Sequence, residues 1–259
     1  MKDFDDATYG EAFADIYDDW YAKVSDIEAT VATLRQLGGN GRYLELGVGT
    51  GRLALALAAT GAQVTGIDSS RAMLDRLEAN AHQREISNRM EVVHGDMVED
   101  LPSGPFEVVF VAYNTVFSLR SPVRQAQLFN AVAARLAPGG VFVVEAVVPD
   151  PQQPPGGTVG VRSLSADRVV LSVDLHDPEH QLVDGQFVEF TEIGGVRLRP
   201  WSIRYSYPHE LDAMAGAAGL SLQARWSDMH QSPFDESSDG HVSLYSSSGE
   251  RLQDQTIGV

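Results

Sequence analysis

The stretch at residues 42–52 constrains this chain more than any other, because an apolar run there leads into three glycines on alternate positions. The run at 43–46 predicts a strand that is buried on both faces. The glycines allow a sharp turn, and they let a ligand reach backbone N–H groups without meeting a Cβ. The leucines and alanines of 53–58 predict a helix that begins at about Gly51 and ends at Gly61. The stretch therefore predicts a strand, a ligand-binding turn and a helix.

Three kinds of ligand loop can be compared with this turn. A dinucleotide loop requires Gly-x-Gly-x-x-Gly, and Arg52 stands where its third glycine belongs. A P-loop requires Gly-Lys-Ser or Gly-Lys-Thr, which this turn lacks. The remaining pattern, Glu45-x-Gly47-x-Gly49-x-Gly51, resembles motif I of the class I S-adenosylmethionine (SAM)-dependent methyltransferases. Tight packing of the helix on the strand would also explain the glycines. Residues elsewhere in the chain are therefore needed to distinguish a ligand-binding turn from a packing turn.

Acidic residues follow the next two predicted strands. Asp68 ends the strand at 62–67, where its two oxygens are suited to the hydroxyls of a ribose. Because Ser69 follows, Asp68 could instead cap the next helix. Asp96 and Met97 follow the third strand, at 90–94. The resemblance implies that Asp96 accepts a hydrogen bond from the adenine amino group and that Met97 packs on the ring.

Polar residues also follow the fourth buried strand, at 105–112. Tyr113 and Asn114 come directly after it, where ligands bind in open α/β sheets. We expect them at the site of methyl transfer, although a turn that starts a helix is an equal alternative. The segment at 136–143 resembles the helix–turn–strand that follows motif III in the same superfamily. Glu145 lies near the end of that strand and faces either the substrate or an internal partner.

An aromatic cluster precedes the first strand. Phe13, Tyr17, Trp20 and Tyr21 follow helical spacing, which predicts an amphipathic helix that docks on the core. The resemblance gives a second reading, in which these aromatic residues form a lid over the cofactor. Both readings can hold for different residues of one helix.

We expect an α/β fold: a Rossmann-like, seven-stranded, mostly parallel sheet with helices on both faces, an N-terminal helical lid and an inserted antiparallel β-meander. The chain would form a single class I methyltransferase domain over 1–259. Its predicted parts are the lid at 1–37, the core at 38–147 and 208–246, the insertion at 148–207 and a polar tail at 247–259. After a Pro/Gly linker at 149–157, the insertion reads as three strands at 167–176, 181–193 and 196–207. They would roof the active site or form a subunit contact.

Composition excludes several classes of function. The formal net charge of −17 argues against nucleic acid or anionic membranes as partners. The absence of cysteine excludes disulfides and thiolate metal sites. We see no secretory signal and no membrane span, so we expect a cytoplasmic protein. Arginine supplies 17 of the 19 basic residues, a bias typical of high-GC genomes such as those of actinobacteria.

We predict no metal site. Asp228, His230, Asp239 and His241 carry ligand-type side chains, but their spacing matches no compact site and fits a solvated loop.

The sequence therefore predicts a SAM-dependent methyltransferase that uses SN2 transfer to N, O or C of a small molecule, in specialised metabolism. No residue is a compelling general base, which favours an amine acceptor. The alternatives are N-methylation of a short peptide amine and a SAM-binding protein without methyl transfer, such as a cyclase. An NAD site is disfavoured. Besides the small-molecule acceptor, a homodimer is considered as a partner.

The predicted site residues fall into two groups. The cofactor-binding residues are Tyr17, Trp20, Glu45, Gly47, Gly49, Thr50, Gly51, Arg52, Asp68, Ser69, Asp96, Met97 and Tyr113. The catalytic candidates are Tyr113, Asn114, Tyr21 and His230, and Tyr17 and His209 are further candidates for a base.

Overall fold

The computed structural model describes residue 1, residues 3–22 and residues 24–247. The predicted polar tail therefore lies outside the described residues, apart from Ser247. The helices are α1 Thr8–Phe13, α2 Tyr17–Tyr21, α3 Ile27–Gly38, α4 Ala54–Ala59, α5 Arg71–Gln83, α6 Pro122–Ala133 and α7 Pro208–Ala217. The strands are β1 Arg42–Leu46, β2 Gln63–Asp68, β3 Met90–His94, β4 Phe106–Val111, β5 Leu136–Val147, β6 Gly156–Leu164, β7 Arg168–Asp177, β8 Leu182–Thr191, β9 Gly195–Arg204, β10 Leu220–Trp226 and β11 Gly240–Ser247.

Seven strands form the main sheet, in the order β10-β11-β5-β4-β1-β2-β3. The pairs β1–β2, β1–β4, β2–β3 and β4–β5 are parallel, whereas β11 runs antiparallel to both β5 and β10. The predicted mostly parallel sheet is confirmed. Because parallel strands end at one edge, the residues that follow β1 to β4 meet there.

Both faces of the sheet are covered by helices. On one face, Leu34 of α3, Leu57 of α4 and Leu77 of α5 are fully buried in one hydrophobic cluster. On the other face, Phe129 of α6 and Leu211 of α7 are fully buried in a second cluster. The apolar strands between them are buried on both sides, as their sequences predict.

The insertion forms a second sheet of four antiparallel strands, β6-β7-β8-β9, so the prediction of three strands was wrong. The missing strand, β6, begins at Gly156, inside the segment that we expected to be a linker. All nine of its residues are exposed, and three of them are glycines. An edge strand of this composition shows no alternation of buried and exposed residues, so it carries no strand signal.

The N-terminal aromatic segment forms two short helices rather than the predicted single helix. The break falls between Phe13 and Tyr17, where Asp15 forms ion pairs with Arg197 and Arg199 of β9. Arg199 also donates a hydrogen bond to the carbonyl of Ala12. These contacts fix the end of α1 against the second sheet.

Helix length and the placement of His, Cys, Asp and Glu side chains bear on two further properties, membrane insertion and metal binding. Within the described ranges, no helix is both long and apolar enough to cross a bilayer. Over the same residues, no group of three or more His, Cys, Asp or Glu side chains is placed to hold a metal ion.

Candidate functional site

A cavity of about 370 Å³ lies where β1 to β4 end, between the main sheet, the N-terminal helices and the second sheet. Its lining residues are Phe4, Asp6, Tyr9, Gly10, Tyr17, Tyr21, Gly47, Gly49, Asp68, Ser69, Met73, Asp96, Met97, Tyr113, Asn114, Thr115, Ser118, Leu119, Arg162, Phe187, Trp201, Ser202 and Ile203. Ten of the predicted site residues are among them. The predicted ends of four strands are therefore brought together.

The glycine turn borders the cavity through two residues in the left-handed region. Gly47 has φ +65° and Gly49 has φ +56°. A Cβ at Gly47 would lie 2.3 Å from Cγ2 of Thr115, whereas a Cβ at Gly49 would meet no atom within 4 Å. Gly47 is therefore required by packing, and Gly49 faces open cavity.

Asp68 stands at the end of β2 and stabilises the glycine turn. Its Oδ2 accepts a hydrogen bond from the N–H of Gly49 at 2.8 Å, and its Oδ1 accepts one from the N–H of Ser70 at 2.9 Å. Ser70, not Asp68, caps α5, since its Oγ accepts from the N–H of Met73. Burial raises the pKa of Asp68 above its ordinary value, against these two hydrogen bonds. Each carboxylate oxygen keeps a second lone pair for a ligand.

Asp96 is held at the end of β3 by a network that the sequence did not predict. Its Oδ1 accepts from the N–H groups of Val98 and Glu99, and its Oδ2 accepts from Arg124 of α6. Burial opposes the charged form of Asp96, but these donors outweigh it and lower its pKa. Asp6 lies beside it, and burial together with the Asp96 carboxylate raises the pKa of Asp6.

The turn after β4 is strained. Tyr113 has φ +49° and Asn114 has φ +67°, and a bulky residue in this region is unusual. Glu145 of β5 accepts a hydrogen bond from the N–H of Tyr113 at 3.2 Å, so its partner is internal. Oδ1 of Asn114 accepts from the N–H of Val147 at 2.7 Å. Two contacts to β5 thus hold the turn in place.

Besides Trp20, four predicted cofactor residues do not line the cavity, namely Glu45, Thr50, Gly51 and Arg52. Glu45 is buried behind the turn, and burial raises its pKa to about 8 against the nearby Arg52. The hydroxyl of Thr50 donates to Asp18 of α2 at 2.6 Å. The guanidinium of Arg52 lies 6.0 Å from the ring centre of Tyr113. These residues support the walls of the cavity.

Aromatic side chains from α1, α2 and the turn after β4 form one wall of the cavity. The rings of Tyr21 and Tyr113 lie 5.9 Å apart, and those of Tyr17 and Tyr21 lie 4.7 Å apart. Burial raises the pKa of Tyr17 and of Tyr113, so both phenols stay protonated at neutral pH. Tyr9, which the sequence analysis did not select, lies beside them.

Trp20 does not line the cavity. Its ring packs edge-on against Phe13 and Phe187, at 6.0 and 5.4 Å, behind the aromatic wall. Its position does not support the predicted cofactor contact. Phe13 and Trp20 pack against Phe187 of the second sheet, while Tyr17 and Tyr21 face the cavity, and their role as a lid over the cofactor stays a prediction.

The two histidine candidates also lie outside the cavity lining. Nε2 of His230 is 3.2 Å from a carboxylate oxygen of Asp26, and both side chains are more than half exposed. The ring of His209 stacks on that of Tyr207. Neither position supports the predicted catalytic role, because loop 227–239 packs near the start of α3 instead.

The insertion was expected to roof the active site or form a subunit contact, but none of its cavity-lining residues was predicted. Arg162 of β6, Phe187 of β8 and Trp201 of β9 line the cavity from residues distant in sequence from the glycine turn. No local pattern marks them. Tyr9 and Asp6 could have been found by extending the aromatic helical pattern one turn towards the N-terminus.

Comparisons with known proteins agree with this geometry. Residues 44–140 match the family model described as a methyltransferase domain. The chain is 31% identical over 184 residues to cypemycin N-terminal methyltransferase of a Streptomyces species. The aligned region covers 69% of this chain and 73% of that protein.

Solved structures of other methyltransferases resemble this chain as well. The structure of the CcbJ methyltransferase from Streptomyces caelestis matches with a TM-score of 0.87 and 38% identity over 94% of this chain and 99% of that one. SAM-bound CalS10, an amino pentose methyltransferase from Micromonospora echinaspora, matches with a TM-score of 0.65 and 21% identity over 95% and 99% of the two chains, a likeness of fold. The motif, the sheet order and these matches together show that the chain belongs to the class I SAM-dependent methyltransferases.

Proposed function

We propose that this methyltransferase transfers the methyl group of SAM to an uncharged amine of a small molecule in specialised metabolism. The observation that carries the proposal is the chemistry of the cavity wall. Asp68 and Asp96 lie at the ends of β2 and β3, Asp6 lies beside Asp96, and among the residues that the structure describes no histidine or glutamate lines the cavity. A hydroxyl or carbon acceptor needs a base, whereas an amine that is already uncharged needs none.

The residues present fit SAM. Open space in front of Gly49 leaves room for a ligand against the turn, and Asp68 offers free lone pairs to a ribose. We propose that Asp68 binds the ribose hydroxyls, that Asp96 and Met97 hold the adenine, and that the turn at 47–51 borders the methionine part. Hydrogen bonds from the N–H groups of Glu99 and Val98, together with the pairing with Arg124, outweigh burial, lower the pKa of Asp96 and keep its carboxylate ionised.

SAM supplies an activated methyl group, so the chain mainly needs to align the acceptor and exclude water. Tyr17 and Tyr113 stay protonated and offer phenol groups that donate and accept hydrogen bonds. We propose that Tyr21, Tyr113 and Asn114 border the acceptor amine. The fixed turn after β4 gives the phenol of Tyr113 a defined position.

The relatives support an amine acceptor. One is named for methylation at the N-terminus of cypemycin, and another for an amino pentose. A short peptide amine is therefore the second candidate. The small-molecule amine and the peptide amine would contact the same cavity walls.

The test is release of S-adenosylhomocysteine (SAH) by the purified protein with three sets of acceptors: amino sugars, amino acids and short peptides. We expect turnover with one set of amines and none with the corresponding alcohols. Turnover with alcohols alone would overturn the amine proposal. Tight SAM binding without SAH release from any acceptor would favour a SAM-binding protein without methyl transfer.

We also propose that a second copy of the chain covers the outer face of the second sheet. Cross-strand registers place apolar residues side by side on that face, including the row Val161, Leu171, Val188 and Leu198. The three large apolar residues of β6 on this face, Val159, Val161 and Leu164, are 67–74% exposed. Monomeric proteins rarely leave such a patch open.

Area and charge favour a copy of the same chain as the occupant. Four strands of about ten residues have a flat area of about 600 Å², to which the protruding side chains add. This area is close to the roughly 800 Å² that each partner buries in a stable interface. The net charge of −17 opposes self-association elsewhere, but the row across the middle of this face carries no charge.

A further inference from the structure

Arg162 differs from the other arginines of the second sheet. Arg168, Arg197, Arg199 and Arg204 each lie within 4 Å of a carboxylate oxygen, from Glu189, Asp15 or Glu210. Within residues 1, 3–22 and 24–247, the guanidinium of Arg162 makes no hydrogen bond and no ion pair, and its contacts are to aromatic rings. Among the five arginines of the second sheet, its guanidinium is therefore the one that remains available to an anionic ligand.

Its position is built into the strand. The register of β6 with β7 shifts between Val161 and Ser163, so Arg162 is the extra residue of a β-bulge. Bulges re-aim a side chain and are frequent beside active sites. Arg162 lies on the inner face of the second sheet, opposite to its neighbour Val161, and lines the cavity.

Aromatic rings fix the guanidinium without neutralising it. Its Cζ lies 4.6 Å from the ring centres of Trp20 and Phe187 and 5.5 Å from that of Tyr21. These cation–π contacts hold the planar group but leave its N–H donors unused. Among the described residues that line the cavity, Arg162 is the one cation.

We propose that Arg162 binds a carboxylate of the methyl acceptor, so that the acceptor is an amine that also bears a carboxylate. A guanidinium matches a carboxylate through two parallel hydrogen bonds. A doubly charged phosphate fits less well, because Asp6, Asp68 and Asp96 share the same cavity. This inference rests on the proposed function and narrows its substrate class.

SAM itself carries a carboxylate and is the other source of this chemistry. The residues that we assign to SAM, the turn at 47–51 with Asp68 and Asp96, all follow strands of the main sheet. Arg162 lies on the second sheet, beside Phe187. This separation favours the acceptor, and the experiment distinguishes the two sources.

The experiment uses SAH-loaded protein and two probes of equal shape, cyclohexanecarboxylate and cyclohexanecarboxamide. Binding is followed by tryptophan fluorescence, since Trp201 lines the cavity and the ring of Trp20 contacts the guanidinium of Arg162. We expect the carboxylate to bind at least tenfold more tightly than the amide, and Arg162→Gln to abolish this preference. Arg71→Gln, which removes a surface arginine from α5, serves as the matched control and should keep it.

A second arm measures SAH and 5′-methylthioadenosine, which lacks the amino-acid carboxylate, by calorimetry. We expect Arg162→Gln to change neither affinity by more than twofold. Equal binding of the two cyclohexane probes to the unchanged protein, or a preference that survives in Arg162→Gln, would overturn the proposal. A loss of SAH affinity without a loss for 5′-methylthioadenosine would assign Arg162 to SAM instead. Failure of the proposed amine methylation would show separately, as no SAH release with any amine.

Discussion

At the scale of single residues, Asp68 has two roles, since it stabilises the glycine turn and is proposed to bind the ribose of SAM. It accepts hydrogen bonds from Gly49 and Ser70, and we propose that its remaining lone pairs bind the ribose. Asp68→Ala should weaken SAH binding by about 1–3 kcal/mol through lost charged hydrogen bonds. Calorimetry measures this loss.

Asp68→Asn is the milder variant, because its amide oxygen can still accept from one of the two N–H groups. It should retain more stability than Asp68→Ala and still bind SAH less tightly. Asp75→Asn, on the exposed side of α5, is the control. An unchanged SAH affinity in both Asp68 variants would refute the ribose assignment.

Glu45 makes stability depend on pH. Burial raises its pKa to about 8, so the folded chain holds a proton that the unfolded chain has released above about pH 4.5. The stabilising effect of that proton is complete below pH 4.5 and is lost as pH rises to about 8. Glu45→Gln should reduce this fall in the free energy of unfolding, on the order of a few kcal/mol.

Denaturant unfolding at pH 5, 6, 7 and 8 measures the effect as the difference between the parent protein and Glu45→Gln. The difference cancels the contributions of other titrating groups to first order. A constant difference across these pH values would show that Glu45 titrates normally in the folded chain.

At the scale of secondary-structure elements, the turn between β1 and α4 contains two glycines with different roles. Gly49→Ala places a methyl group in open cavity, so it should cost only about 1–2 kcal/mol of backbone strain and reduce SAH affinity at least tenfold. Gly47→Ala drives a methyl group into Thr115 and should destabilise the fold further. Thermal unfolding and calorimetry separate the two effects, and normal SAH binding by Gly49→Ala would contradict this assignment.

The elements of the core could be predicted because each strand is an unbroken apolar run with a polar residue at its end. Asp68 and Asp96 were found for that reason. β6 was missed because an exposed edge strand rich in glycine buries no face. Arg162 was missed with it, since its place at the cavity depends on the pairing of β6 with β7. The break between α1 and α2 depends on Asp15 meeting β9, a contact across more than 180 residues.

At the scale of the whole molecule, the outer face of the second sheet predicts association. Leu175→Glu with Leu198→Glu places two charges on that face and should convert a dimer into a monomer, as measured by light scattering after size exclusion. Ile193→Glu, in the turn before β9, removes an apolar residue that is 97% exposed and should leave the dimer intact. A monomeric parent protein would contradict the proposed interface.

Besides the N-terminal helices, the cavity has two walls that belong to separate hydrogen-bonded sheets. One wall consists of strand ends whose neighbours are fixed by the close packing of the main sheet. The other consists of side chains on β6, β8 and β9, strands that have no ladder to the main sheet. A descendant of this gene can therefore acquire a new acceptor by changes confined to 156–204, while every residue that we assign to SAM stays the same. Divergence between paralogues should accordingly concentrate in that interval.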